Sequence, residues 1–120
     1  MPPFLRAVAA ALLPAAALLL AAAMPAGADE LTGTLRKVAD AKSVTIGYRE
    51  SSLPFSYLSG AKEPVGYSVD ICQAIVDDLA READVPLATV FKPVTSASRF
   101  EAVTSGAVDL ECGSTTANLE

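Results

Sequence analysis

Residues 46–57 read IGYRESSLPFSY, residues 95–104 read TSASRFEAVT and residues 112–116 read CGSTT. Each stretch places hydroxyls behind a short apolar run, and two of them add an arginine. The set is Arg49, Ser51, Ser52, Thr95, Ser96, Arg99, Ser114, Thr115 and Thr116. A guanidinium offers paired donors to a carboxylate, and hydroxyls can complete the remaining hydrogen bonds. Arg99 is the more telling arginine. It falls in the first turn of a helix candidate, where a cation opposes the macrodipole unless an anion sits there. Taken singly, such residues are ordinary, because exposed arginines are usually solvated and Ser or Thr at a helix start is usually a cap. Glu50 can pair with a neighbouring base or receive a ligand amine. Phe55 and Tyr57 read as core packing ahead of a pocket floor.

The elements around these residues decide whether they meet. SVTIGY (43–48), LATVFKPV (87–94) and AVDLECGS (107–114) are short and β-branched or apolar, which predicts three strands. LTGTLRKVADAK (31–42) puts Leu31, Leu35, Val38 and Ala39 on one helical side. SVDICQAIVDDLAREADV (68–85) places Cys72, Ile75, Val76, Leu79 and Ala83 on one face, with Ser68 as its expected cap and Asp70 in its first turn. SRFEAVTSG (98–106) has Ser98 and Glu101 in capping-box spacing and Gly106 as a stop. Between the first strand and the long helix, PFSYLSGAKEPVGYS predicts a hairpin-like excursion.

Strand, helix, strand, helix, strand is the pattern of a parallel α/β sheet with right-handed crossovers. Ligands in such sheets bind beyond the carboxyl ends of the strands. Arg49 to Ser52, Thr95 with Ser96, and Gly113 to Thr116 each follow a strand, so the expectation is that all three clusters gather at one edge.

Composition narrows the chemistry further. Residues 1–28 hold one base, Arg6, no acid, a long Ala/Leu run and a terminal Ala26-Gly27-Ala28, the make-up of a signal peptide cleaved near Ala28. Residues 29–120 then carry eight bases against fourteen acids, enough chain for one small core. An acidic chain without a basic cluster is not built for nucleic acid or anionic membranes. With no histidine among the 120 residues, a His-based zinc site and a Ser-His-Asp triad are excluded within them. Neither cofactor nor metal is expected. Two cysteines, Cys72 and Cys112, permit a disulfide in an exported chain or serve as two buried apolar residues, and spacing alone leaves both open.

GYRESSLPFSY, VGYSVDI and TSASRFEAVTSGAVDLECGSTT together resemble the periplasmic solute-binding proteins of ABC importers for polar amino acids, from about Leu31 to the last residue. The members that take glutamate or aspartate are the most alike. The resemblance implies an α/β, two-lobed type II periplasmic-binding-protein fold, with residues 29–120 as the N-terminal part of lobe one. It further implies a monomeric periplasmic receptor, not an enzyme, that serves a permease of the inner membrane. By position, it implies that Arg49 grips a side-chain carboxylate and that Ser96 and Arg99 hold the α-carboxylate. Ser114 and Thr116 would supply a hydroxyl or amide and a contact to the ligand amine. Such receptors are more than twice as long, so a fragment or a truncated form is expected. Two other readings use the same fold: a ligand-binding sensor domain of a signalling protein, and a dehydratase-like periplasmic enzyme with Glu50 or Glu111 as its acid or base. Fold likeness alone is a weak warrant for either.

Overall fold

The computed structural model describes residues 30–119, so the expected leader and its cleavage near Ala28 lie outside the described residues. Helix α1 (Gly33–Ala41) leads into strand β1 (Ser43–Tyr48). Three short strands follow: β2 (Ser51–Ser52), β3 (Ser56–Leu58) and β4 (Pro64–Val65). Helix α2 (Tyr67–Glu82), strand β5 (Ala88–Pro93), helix α3 (Arg99–Thr104) and strand β6 (Leu110–Cys112) complete the order.

Strands β5, β1 and β6 form a parallel sheet with β1 in the middle. Each of its two links is a crossover through a helix, the connection parallel strands require. β1 is the central strand, with Val44, Ile46 and Tyr48 buried on one face and the buried Gly47 on the other. Val44 and Ile46 are fully buried against Val38 of α1 and Cys72 and Val76 of α2, with Leu87 and Leu110 packed alongside. On the opposite face Gly47 leaves room for Val94 and Val108, both buried; a Cβ there would lie 3.2 Å from Val94 and 3.3 Å from Val108.

α1 is held to the sheet by polar contacts as well as by Val38. Lys37 Nζ donates to Gly106 O (2.8 Å) and to Asp109 Oδ1 (2.7 Å), while Asp109 Oδ2 accepts from the Thr45 amide (2.8 Å). One carboxylate thus joins a helix, the central strand and the turn before β6. Its burial makes the pairing matter more than that of an exposed ion pair.

The excursion between β1 and α2 is a small antiparallel sheet of order β2-β3-β4, which makes the expected hairpin a three-stranded one. Its Leu53–Pro54 peptide is cis. Gly66 closes it at φ 125°, where a Cβ would overlap the Phe55 carbonyl, and so glycine is required. The chain then turns directly into α2, with Tyr67 N donating to Pro54 O (3.1 Å) and Ser68 N to Phe55 O (2.8 Å).

Two caps differ from expectation. α2 begins at Tyr67 with Gly66 before it, and Ser68 Oγ donates to Gly113 O (2.8 Å) in place of capping. At α3 the reciprocal pair lies one turn earlier than the Ser98–Glu101 spacing indicates. Thr95 N donates to Ser98 Oγ (3.0 Å) and Ser98 N to Thr95 Oγ1 (3.1 Å). Thr95 therefore acts as the cap and Ser98 as its partner three residues on, the capping-box arrangement with a serine in place of Glu or Gln.

Cys72 and Cys112 are bonded to each other, with Cα atoms 6.3 Å apart. The bond ties the middle of the buried face of α2 to the last residue of β6.

Candidate functional site

The parallel register puts the three strand ends level: Tyr48 lies opposite Pro93 on one side and Cys112 on the other. The residues that follow each strand therefore leave the sheet at the same height. Arg49 follows β1, Thr95 and Ser96 follow β5 by way of Val94, and Gly113 to Thr116 follow β6. The Val94 amide donates to Tyr48 O (2.8 Å), which prolongs the pairing up to the edge itself.

Arg49 is half-buried, and its backbone is fixed by a serine that the sequence pattern did not single out. Ser56 is fully buried; its Oγ accepts from the Arg49 amide (2.8 Å) and donates to Arg49 O (3.3 Å). A buried hydroxyl must find partners, and here it finds both on the residue that bears the guanidinium. The guanidinium itself has no partner among the described residues. The only available signal for Ser56 was its place in the aromatic stretch returning from the loop.

Arg99 opens α3, and its Nε is buried without a hydrogen-bond partner. Its guanidinium carbon stacks over the Phe100 ring, 5.0 Å from the centroid, a position that orients the plane without using its donors. Ser96 lies exposed in the turn that leads to it. Thr95, included as a hydroxyl for a ligand, is instead occupied by Ser98. Ser51 and Ser52 pair with Tyr57 and Ser56 as strand β2 and so stiffen the loop behind Arg49.

Ser114 is half-buried, and Thr115 and Thr116 are exposed. With Phe55, Tyr67 and Ser68 they line an open cleft of about 470 Å³. Phe55 is 42% exposed, so it borders this cleft and is not the core residue its type implied. The segment is held from behind by the Ser68 bond to Gly113 O, by the Cys72–Cys112 bond and by Thr115 Oγ1 donating to Glu111 Oε2 (2.9 Å). The edge thus carries two arginines with unused donors and several hydroxyls on braced backbone. Chemically it is suited to an anion with more than one carboxylate oxygen.

The family profile of bacterial extracellular solute-binding proteins, family 3, matches residues 44–120. The chain belongs to that family. It is 45% identical over 98 residues to the L-glutamate/L-aspartate-binding protein of Pseudomonas aeruginosa, covering 80% of this chain and 32% of that protein. It is 40% identical over 110 residues to the glutamate/aspartate import solute-binding protein of Escherichia coli, covering 85% of this chain and 36% of that one. This family member therefore spans about a third of the length of the curated relatives it matches. Among solved structures, a solute receptor for L-cysteine of Neisseria gonorrhoeae is similar at a TM-score of 0.61 and 27% identity, over 72% of this chain and 34% of that one. An ancestral amino acid-binding protein described as a precursor of cyclohexadienyl dehydratase gives a TM-score of 0.63 at 20% identity, over 72% of this chain and 35% of that one. The second likeness shows the fold alone. The parallel sheet with its flanking helices is that of the type II periplasmic binding proteins.

Proposed function

We propose that residues 29–120 form the first part of lobe one of a periplasmic receptor that binds glutamate or aspartate and delivers it to an ABC importer. The observation that carries this reading is the pair of arginines with free donors at one level sheet edge. Arg99 has a buried, unpartnered Nε, Arg49 has a guanidinium unpartnered among the described residues, and the stem of Arg49 lies against Gly113, which leads into the hydroxyls of the 114–116 segment. A buried donor without a partner costs free energy that an arriving carboxylate returns. The names of the sequence relatives support the same ligand class.

In this reading Arg99 and Ser96 take the α-carboxylate, Arg49 takes the side-chain carboxylate, and Ser114 and Thr116 complete the shell. Closure of a second lobe over the edge then excludes water and strengthens both charge pairs. Binding, and not catalysis, is the reading the residues favour, since the groups so placed are arginine donors and hydroxyls, and the one carboxylate bonded to them, Glu111, is engaged with Thr115. In this reading the exported protein acts in the periplasm as a monomer and takes the amino acid as its ligand.

Calorimetric titration of the full-length protein with glutamate, aspartate and glutamine tests the reading. Binding of a dicarboxylate amino acid is expected, and Arg99→Ala is expected to weaken it by about 100-fold, the scale of one lost charge-assisted contact to a buried carboxylate. Unaltered affinity in Arg99→Ala would remove Arg99 from the site. Absence of binding to all three ligands would overturn the receptor assignment.

A further inference from the structure

Glu111 enters the site as described only by holding Thr115 from behind, and half of its carboxylate is left over. It is the middle residue of β6, between Leu110, which packs on the core, and Cys112, which bonds to α2. Alternation along the strand sets its side chain off the face that carries Leu110 and Cys112, while the residue also borders an open cleft with Ile71, Cys72 and Ile75 of α2. One oxygen of its carboxylate, Oε2, accepts from Thr115 Oγ1 at 2.9 Å. The other, Oε1, is buried and has no hydrogen-bond partner. A desolvated carboxylate oxygen left without a donor is unfavourable, so a donor brought to this one would be stabilising.

The identity of that donor follows from Gly113. A Cβ at this position would overlap the Glu111 carboxylate and would lie 2.9 Å from Arg49 Cγ. The carboxylate and the stem of Arg49 are thus neighbours across a side chain that glycine omits. The Arg49 guanidinium is also without a partner among the described residues. The stem of a cation with free donors and an anion with a free acceptor thus lie side by side.

We propose that Glu111 is the positioning residue for Arg49. Its Oε1 accepts from the Arg49 guanidinium and fixes the plane of that group, while its Oε2 holds Thr115 and hence the 113–116 segment. An arginine anchored on one edge offers its remaining N–H groups in a fixed fork, which favours a planar carboxylate over a carboxamide. Glu111 thereby sets the preference for acidic over amide side chains. This inference rests on the receptor reading, in which Arg49 grips the side-chain carboxylate.

The test uses the full-length protein and begins with the parent. If the parent binds neither glutamate nor aspartate, the receptor reading fails, and the inference built on it is overturned too. If it binds, Glu111→Gln keeps the size of the side chain and an acceptor for Thr115 but removes the charge. Glutamate affinity is expected to fall roughly tenfold while glutamine affinity changes by less than about twofold, which collapses the selectivity. An equal loss for both ligands would mark Glu111 as merely structural, and no loss would remove it altogether; either result overturns the inference and leaves the receptor reading standing. Should the variant not fold, the ligand-free parent still decides. A distinct, slowly exchanging Nε–H resonance, assigned by its disappearance in Arg49→Lys, supports the anchored guanidinium. A motionally averaged one overturns it.

Discussion

Arg49 carries its guanidinium on a backbone fixed by the buried hydroxyl of Ser56, whereas Arg99 has an orphaned Nε and a ring beneath it. The two arginines are therefore prepared in different ways and should fail differently. Arg49 is assigned the side-chain carboxylate, which glutamine lacks. Replacing it with methionine keeps the apolar stem and removes the fork. Glutamate affinity should fall at least about tenfold further than glutamine affinity, since a bidentate charged pair is lost for one ligand and a weaker contact for the other. Parallel titrations of the full-length variant with both amino acids check this. An equal loss would sink the role given to Arg49. Arginine and hydroxyl types were legible from sequence because their chemistry is carried by the residue itself. Ser56 was not, because its role comes from complete burial beside one backbone amide. Thr95 was misread for a related reason: a hydroxyl at a helix start serves its own backbone first.

At the scale of elements, β1 and α2 do most of the positioning. β1 was legible residue for residue over Ser43–Tyr48, because its β-branched residues alternate with small or polar ones and bury Val44, Ile46 and Tyr48 on one face. The buried face of α2 was legible in part. Cys72 and Val76 are in the core as their spacing implied, whereas Ile75 is 38% exposed at the margin of the face. The ends were less legible, and α2 stops at Glu82 although the apolar pattern runs on to Val85. Strand β6 is shorter than its apolar run because the Asp109 carboxylate is committed to Lys37 and the Thr45 amide before pairing starts at Leu110. The Cys72–Cys112 bond joins these two elements next to the 113–116 segment. It closes a loop of 40 residues, for which chain entropy gives about 4 kcal/mol. The Cys72→Ser, Cys112→Ser double variant of the full-length protein should lose roughly 2–4 kcal/mol in denaturant unfolding. A change below about 0.5 kcal/mol would mean that the packing of α2 on β6 and the Ser68 bond to Gly113 suffice without it.

For the molecule as a whole, the site is an edge, not an enclosure. Its donors come from one side, and the 470 Å³ cleft between the 113–116 segment and Phe55 is open to solvent. In water a charge pair at about 4 Å contributes roughly 1 kcal/mol, and several times that once solvent is removed. The same arginines can therefore give weak or strong binding according to what covers them. The chain also spans about a third of the length of its curated relatives, and in those proteins the remaining length is enough for a cover. Residues 30–119 produced alone should accordingly bind glutamate at least about 100-fold more weakly than the full-length protein, a difference of roughly 3 kcal/mol. Chemical-shift titration of the isolated segment against calorimetry of the whole protein measures it. Thermal unfolding of the segment establishes first that it is folded. Equal affinities would mean that this edge alone supplies the binding energy and that closure contributes only to delivery. A large gap would place most of that energy in the desolvation of Arg49 and Arg99 by the closing lobe.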